Sequence, residues 1–439
     1  MIVESPAALR LVAALMDLGA LGATREHLIR KADIGTTSFY RLIHPLIEQG
    51  IVAVDGNRYR VPLDTLYGFR FKLWHDAERL YRLAGADRSA VLDLVSKVRQ
   101  ALGEKLACLW LVGSAAQNDL GPTSDLDFLA VTTGETRFHP PAGGSRPVNF
   151  VVMSATEFRE RHQRLDGFIE SALRYGVLLF DRDFAQGYYA APMPAALPAS
   201  AIQAEEKPLD QLRTRALALV EHDLGEARNA LRAYAVSVGR LMMRAFGELP
   251  RSREALVTAC AALFGTRFAA SLQKATQPGT LNGAAIIACC RTLADYHHAF
   301  QSHLSHLIEF AVLPTAEDAV LESMSARILA ELVPRNRLLV QVKSSSEMPS
   351  REQLSDMFST LARGRRSDRD ARGLVILNAC RDLPPLERPD EFPESARKDA
   401  ARRHVILLSG LDLLRAHNVL HLESKPARTV FQNMIKGAS

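Results

Sequence analysis

A Gly-Ser pair and an Asp-x-Asp pair stand in a spacing suited to phosphate and metal chemistry, in the stretch LVGSAAQNDLGPTSDLDFLAV at residues 111–131. Gly113 and Ser114 end an apolar strand candidate, and the missing Cβ of glycine lets phosphate oxygens approach backbone N–H groups. Asp125 and Asp127 alternate along a second strand candidate, so both carboxylates project to one side. Such oxygen ligands suit Mg²⁺. The pattern predicts nucleotide binding at the first pair, and metal binding and catalysis at the second.

These residues resemble the motif of minimal, polymerase-β-type nucleotidyltransferases, in which Gly-Ser precedes Asp-x-Asp by about this distance. The family often closes with a helix, a glycine and an apolar strand ending in Asp-Arg, and ALRYGVLLFDRD at residues 172–183 fits that ending. The resemblance covers about residues 100–185. It implies the family fold and transfer of a nucleoside monophosphate, as in relatives that modify antibiotics, proteins or RNA ends.

One position departs from the family pattern. The family usually carries a third carboxylate on the next strand, and the matching residue in RPVNFVVM is Asn149. An amide oxygen can coordinate Mg²⁺, so Asn149 is predicted as a metal ligand, but it adds no negative charge and cannot act as a base. Either Glu157 or Asp166 supplies the third carboxylate, or the domain binds nucleotide with weak or no catalysis.

The chain of 439 residues is long enough for two to four domains. We expect a multidomain α/β protein whose domain bounds follow shifts in pattern. Pro192, Pro194 and Pro198 predict a linker between the second and third domains. The predicted domains are a winged helix-turn-helix at 1–64, a nucleotidyltransferase core at 65–190, a helical domain at 205–313 and an α/β domain at 316–439.

The N-terminal segment has the pattern of three helices followed by a hairpin, which resembles a winged helix-turn-helix domain. Residues 36–38 are expected to cap the third helix. The predicted nucleic-acid contacts lie on that helix and on the wing: Thr36, Thr37, Ser38, Tyr40, Arg41 and Arg58. Seven basic and seven acidic residues fall within 1–64, a weak footprint for phosphate binding. DNA or RNA contact and a dimerisation or docking role are therefore both open.

The helical segment resembles the domain that accompanies many of these enzymes and supplies basic groups to the triphosphate. That resemblance implies nucleotide contact by Arg240, with Arg251 and Arg253 as further candidates. Arg291 and His297 fit a loose ribonuclease spacing, which we interpret as a surface arginine and a packed histidine.

The C-terminal segment resembles the later half of restriction-endonuclease-like domains. Gln341 and Lys343 occupy the Glu/Gln-x-Lys pattern on one of its three strand candidates. The helix at 317–332 runs almost directly into that strand, so no strand is left to carry the usual Asp, and Glu322 is the only substitute. We therefore predict a degenerate scaffold without nuclease activity.

Composition narrows the function classes. Hydrophobic content of 47% and charged content of 23% are ordinary for a globular protein, and a net charge of +5 permits but does not require a polyanionic partner. The five cysteines form no CxxC pair, and Glu4, Arg10 and Asp17 interrupt the apolar N-terminus. These features predict a cytoplasmic protein without a membrane partner.

Two functions compete on these grounds. The first is Mg²⁺-dependent transfer of a nucleoside monophosphate from an NTP to a nucleic-acid, protein or nucleotide acceptor. The domain combination resembles bacterial toxin and phage-defence proteins. The alternative is a DNA-binding transcriptional regulator whose nucleotidyltransferase domain senses nucleotide, and Asn149 favours it.

Overall fold

The computed structural model divides the chain into two compact units, residues 1–195 and 196–439. The predicted four-domain division stays a prediction. The structure describes residues 5–18, 22–121, 124–136, 138–139, 141, 146–190, 197–277, 279, 281–333, 338–367, 372–381, 383, 385–388, 392–423 and 425–438. Pro192 and Pro194 lie outside these residues. No described helix is long and apolar enough to cross a membrane.

The first unit begins with three helices and a small antiparallel sheet of strand order β1-β3-β2. Its elements are α1 (Pro6–Leu18), β1 (Ala23–Thr24), α2 (Arg25–Ala32), α3 (Thr36–Glu48), β2 (Ala53–Asp55) and β3 (Arg58–Arg60). The predicted helices and hairpin are present, and the pattern did not predict β1. The Thr24 hydroxyl caps α2 by accepting from the His27 N–H. The cap expected at residues 36–38 is wrong: Gly35 occupies the N-cap position of α3, without a side-chain hydrogen bond.

The rest of the first unit surrounds a four-stranded sheet of order β6-β5-β4-β7. Strand β5 runs parallel to β6, and β4 is antiparallel to both β5 and β7. The elements are α4 (Leu66–Tyr81), α5 (Gly85–Leu102), a 3₁₀ turn (Gly103–Lys105), β4 (Leu106–Val112), α6 (Gly113–Ala116), β5 (Leu126–Thr132), β6 (Val148–Ser154), α7 (Ala155–Gln163), α8 (Gly167–Tyr175), β7 (Val177–Asp181) and α9 (Gln186–Ala190).

Every residue of β4 is buried because the strand has apolar clusters on both faces. Trp110 stacks on Phe158 of α7, with ring centroids 5.6 Å apart, whereas Leu111 packs into the opposite cluster with Phe128. Alternation along a strand produces these two faces. Two helices follow β6, and Leu165 separates them with a φ of +57° between α7 and α8.

The second unit combines a helical part with a parallel sheet of order β10-β9-β8. Its elements are α10 (Ala199–Ala204), α11 (Glu206–Ala218), α12 (Leu224–Ala245), α13 (Arg253–Phe264), α14 (Thr266–Thr276), α15 (Gly283–Ser302), α16 (Leu304–Glu309), a 3₁₀ turn (Leu313–Thr315), α17 (Asp318–Leu332), β8 (Leu338–Ser344), α18 (Arg351–Ser367), β9 (Arg372–Asn378), a 3₁₀ turn (Pro385–Glu387), α19 (Glu394–Arg402), β10 (Val405–Ser409), α20 (Gly410–Leu422) and α21 (Ala427–Ala438).

The three strands predicted near the C-terminus are all present in this unit. The first long stretch of the helical part is divided into two helices, α11 and α12. Asp223 starts the second of them, because its carboxylate accepts from the Gly225 and Glu226 N–H groups.

Candidate active site

Strand register brings three sequence-predicted residues to one edge of the four-stranded sheet. Asp127 on β5 lies opposite Val112, the last residue of β4, and opposite Asn149 on β6. Gly113 follows Val112 directly, so the Gly-Ser turn begins beside Asp127. Asp125 stands just before β5, two positions from Asp127. The sheet therefore presents both aspartates and the turn at the same edge.

Gly113 has a backbone conformation and a close contact that favour glycine at this position. Its φ is +70°, in the left-handed region that side chains with a Cβ rarely adopt. A Cβ placed there would lie 2.5 Å from Asp127 Oδ2. The glycine is thus needed both for the turn and for the position of the Asp127 carboxylate.

Asn149 joins the two aspartates. Its amide Nδ2 donates to Asp125 Oδ2 at 3.0 Å and to Asp127 Oδ1 at 3.1 Å. One donor atom thus sits between two carboxylates, at a point where both can direct oxygens. To bind a cation at that point through its own oxygen, the exposed Asn149 amide would have to flip so that Oδ1 takes the place of Nδ2.

The electrostatics of the pair favour a cation. Burial raises the pKa of Asp127, the charge of Asp125 raises it further, and the hydrogen bond from Asn149 acts in the opposite direction. A desolvated carboxylate beside another carboxylate is stabilised by a bound cation, because the cation offsets both the lost hydration and the repulsion.

Ser114 is the second residue of the short helix α6, directly after Gly113. Its carbonyl accepts from the Asp119 N–H at 2.9 Å, which closes the following turn. Further along, Arg146 donates to the carbonyls of Gly121, at 2.8 Å, and Ser124, at 3.2 Å, and pairs with Asp87 of α5. Arg146 therefore holds together Gly121 and Ser124, the residue before Asp125. The sequence pattern did not predict Arg146, because its role depends on backbone carbonyl acceptors.

Helix α4 contacts both α6, which contains the Gly-Ser turn, and β7 through a buried ionic network. Asp76, with no exposed surface, accepts from the Leu178 N–H of β7 at 2.9 Å and pairs with Lys72. Arg79 lies 3.5 Å from Asp76 and donates to the carbonyls of Ala116 in α6 and Gly176 before β7. The sequence analysis did not predict this network.

The two alternatives for a third carboxylate are engaged elsewhere. Asp166 caps α8 by accepting from the Phe168 and Ile169 N–H groups and also pairs with Arg161 at 3.0 Å. Glu157 lies 3.7 Å from the same arginine. In the described residues, Asn149 is the third group that contacts the aspartates.

The predicted nucleic-acid contacts lie on the surface of the N-terminal part. The residues are exposed except Ser38, which is half-buried: Thr36, Thr37, Ser38, Tyr40, Arg41 and Arg58. The Tyr40 hydroxyl accepts from Arg25 at 2.8 Å, and Arg58 donates to the Gly22 carbonyl at 3.2 Å. Their contact with nucleic acid stays a prediction.

The remaining predicted residues belong to the second unit. Arg240 lies on α12, and its contact with nucleotide stays a prediction. Glu322 was expected to be the only substitute for the missing Asp, but Lys343 Nζ lies 3.9 Å from Asp318 Oδ2, at the start of α17. This carboxylate comes from a helix, where a strand was sought, and it also accepts from the Ser344 N–H. Both side chains of the ion pair are about half exposed.

Residues 95–179 match the family model of the nucleotidyltransferase domain. The chain carries a nucleotidyltransferase domain. The matched range begins within α5 and ends in β7, so it includes Gly113, Ser114, both aspartates and Asn149. It leaves out the N-terminal part, α4 and the second unit. Comparison with curated proteins gave no match. The domain supports nucleotidyl transfer in general, on a nucleotide substrate, and such domains usually work with divalent metals.

Proposed function

We propose that the chain transfers a nucleoside monophosphate from an NTP to an acceptor, with Mg²⁺ held by Asp125 and Asp127. The observation that carries this proposal is the meeting of both carboxylates at the Asn149 amide, beside the Gly113 turn and within the matched domain. The acceptor class remains nucleic acid, protein or nucleotide.

The donor set fits a hard divalent cation. Two carboxylates and one amide offer oxygen ligands, which Mg²⁺ prefers, and Mg²⁺ commonly needs only one or two carboxylates besides substrate phosphates. When bound, the ion would neutralise phosphate charge. The raised pKa of Asp127 is the response expected of a carboxylate placed to receive a cation.

The chain's own residues would act mainly by binding and orientation. Without a Cβ at Gly113, phosphate oxygens can approach the backbone, and the Ser114 hydroxyl adds a donor. In the transfer step the acceptor oxygen bonds to the α-phosphorus, the bond from that phosphorus to the bridging oxygen breaks, and pyrophosphate leaves. The acceptor proton passes to solvent, because the Asn149 amide is not a base.

We propose that the N-terminal part selects the acceptor. Tyr40 and Arg41 on α3 and Arg58 on β3 are exposed, as a nucleic-acid contact requires. The neutral charge balance of residues 1–64 argues for a small number of specific contacts and against general phosphate attraction.

One observation favours a second function. The Asn149 amide donates hydrogen bonds to both aspartates, at the position where the family usually has a third carboxylate. It therefore contributes hydrogen bonds where a carboxylate would contribute charge. A nucleotide-sensing regulator, which binds the NTP without transferring it, needs no third carboxylate.

Incubation of the full chain with each labelled NTP and Mg²⁺ separates the two functions. Transfer predicts pyrophosphate release and a labelled product, both lost in Asp125→Asn with Asp127→Asn. Binding of an NTP without pyrophosphate release, with candidate acceptors present, would replace the enzyme with the sensor. No binding of any NTP would refute both.

A further inference from the structure

We propose that the second unit contains a zinc site formed by His306, Glu331, His417 and His421. These residues lie outside the nucleotidyltransferase match and have no role in the proposed transfer. One ligand atom from each of the four lies within 4.8 Å of all the others. Three imidazoles with one carboxylate form a donor set that suits Zn²⁺.

Three helices contribute the ligands. His306 is on α16, Glu331 is in the last turn of α17, and His417 and His421 lie four residues apart on α20. Side chains at this spacing lie on one face of a helix. His417 has no exposed surface, whereas the Glu331 side chain is 35% exposed. The cluster is therefore anchored in the core and open to solvent at the carboxylate.

Three distances within the cluster are close to the edge of a zinc tetrahedron. His306 Nε2 lies 3.2 Å from His417 Nε2 and 3.4 Å from Glu331 Oε1, and His421 Nε2 lies 3.1 Å from Glu331 Oε2. Zinc–nitrogen bonds of about 2.0–2.1 Å place neighbouring tetrahedral ligands about 3.3 Å apart. These three contacts are thus near the separations that a zinc ion would impose, and the other ligand atoms lie within 4.8 Å of one another.

Hydrogen bonds alone satisfy this cluster poorly. His306 Nε2 faces both His417 Nε2 and Glu331, but a neutral ring nitrogen either donates one proton or accepts one. A single proton on this nitrogen can serve both neighbours only by being shared between them in a weak three-centre hydrogen bond. The other ring nitrogen of His417, Nδ1, is also buried and has no hydrogen-bond partner in the described part of the chain. A cation bound to the facing nitrogens removes the first conflict.

The protonation states agree with metal binding. Burial, together with the neighbouring rings of His421 and His306, lowers the pKa of His417 to about 3. Burial also lowers the pKa of His421. A neutral imidazole keeps the lone pair that a metal requires. Since the protein fills all four positions, the zinc would be structural and would join α16, α17 and α20.

The test uses the full chain without a histidine tag, dialysed against Mg²⁺ after exposure to zinc. We expect one zinc per chain by elemental analysis. With Co²⁺ in its place, we expect the intense visible absorption of tetrahedral coordination. A chelator should lower the Tm. Wild type that keeps no zinc, or that gives only the weak absorption of octahedral Co²⁺, would overturn the proposal.

Two variants and a matched control locate the site. His421→Ala and Glu331→Gln should each weaken zinc binding by more than the roughly 10- to 100-fold typical of losing an outer partner of a ligand. Glu331→Gln alters a partly exposed side chain, so it remains informative if the first variant does not fold. His303 is the control, because its ring packs against that of His421 in a tilted arrangement, with centroids 5.1 Å apart, but is not one of the four. Unchanged zinc binding in Glu331→Gln, or equal loss in His303→Ala, would contradict the site.

Discussion

Substitution of Gly113 by alanine tests the geometry of the candidate active site, because two separate effects are expected. A residue with a Cβ at φ +70° costs about 1–2 kcal/mol. The new Cβ would also lie 2.5 Å from Asp127 Oδ2, about 1 Å closer than an ordinary contact. Asp127 must leave its rotamer, at a further cost of about 0.5–1.5 kcal/mol. The free energy of unfolding should therefore fall by about 1.5–3.5 kcal/mol.

The consequence for function is larger than the loss of stability. A displacement of about 1 Å in a positioned group can lower a rate by about 100-fold. Gly113→Ala should thus lower pyrophosphate release from the preferred NTP by about that factor and weaken Mg²⁺-dependent NTP binding, measured by calorimetry.

Gly50→Ala is the matched control, because Gly50 has a φ of +67° and nothing within 4 Å of its added Cβ. It should lose only about 1–2 kcal/mol of stability and keep NTP binding. If Gly113→Ala behaves like Gly50→Ala in both measurements, the turn does not position the carboxylate.

Three further predictions concern Asn149, Asp127 and Asp76. Asn149→Asp should raise the transfer rate, because a third carboxylate strengthens metal binding and can accept the acceptor's proton; an unchanged or lower rate in a steady-state assay would show that the amide is not limiting. Because the pKa of Asp127 is raised, lowering the pH should weaken Mg²⁺ binding at a higher pH than it would for an ordinary aspartate. Without metal, the stability that Asp127 contributes should be present at low pH and lost as the pH rises through its folded pKa. Thermal melting at several pH values checks this dependence. Asp76→Ala should destabilise the fold by about 3–5 kcal/mol in chemical unfolding, because the buried cation of Lys72 loses its partner. The control Asp93→Ala breaks an exposed pair with Lys97 and should cost under about 1 kcal/mol. Similar losses in the two variants would refute the role of the network.

The motif residues were predictable because their geometry follows from local rules. Alternation predicted Asp125 and Asp127 on one side, and the Asn149 amide donates to both, although Asp125 stands just before β5. Strand type followed in the same way from the apolar runs of β4 and β5, and hairpin position from the Asp55-Gly56 turn signal.

What the sequence did not reveal depends on contacts between distant residues. Arg79 acts on a carbonyl 37 residues away, and no side-chain pattern encodes a carbonyl acceptor. His306 and His417 are 111 residues apart, and only the folded helices bring them together. The spacing of His417 and His421 was a local signal that a search for helical metal-ligand pairs would have found.

Thermal unfolding with and without Mg²⁺–NTP tests the central claim most directly, in wild type and in Asp125→Ala with Asp127→Ala. For wild type at an NTP concentration 100 times its Kd, we predict stabilisation by about 2.7 kcal/mol. For a unit the size of residues 1–195, this corresponds to a rise of roughly 5–10 °C in Tm. The double variant should show no Mg²⁺-dependent shift. An equal shift in both proteins would place the nucleotide elsewhere, and no shift in wild type with any NTP would contradict the account.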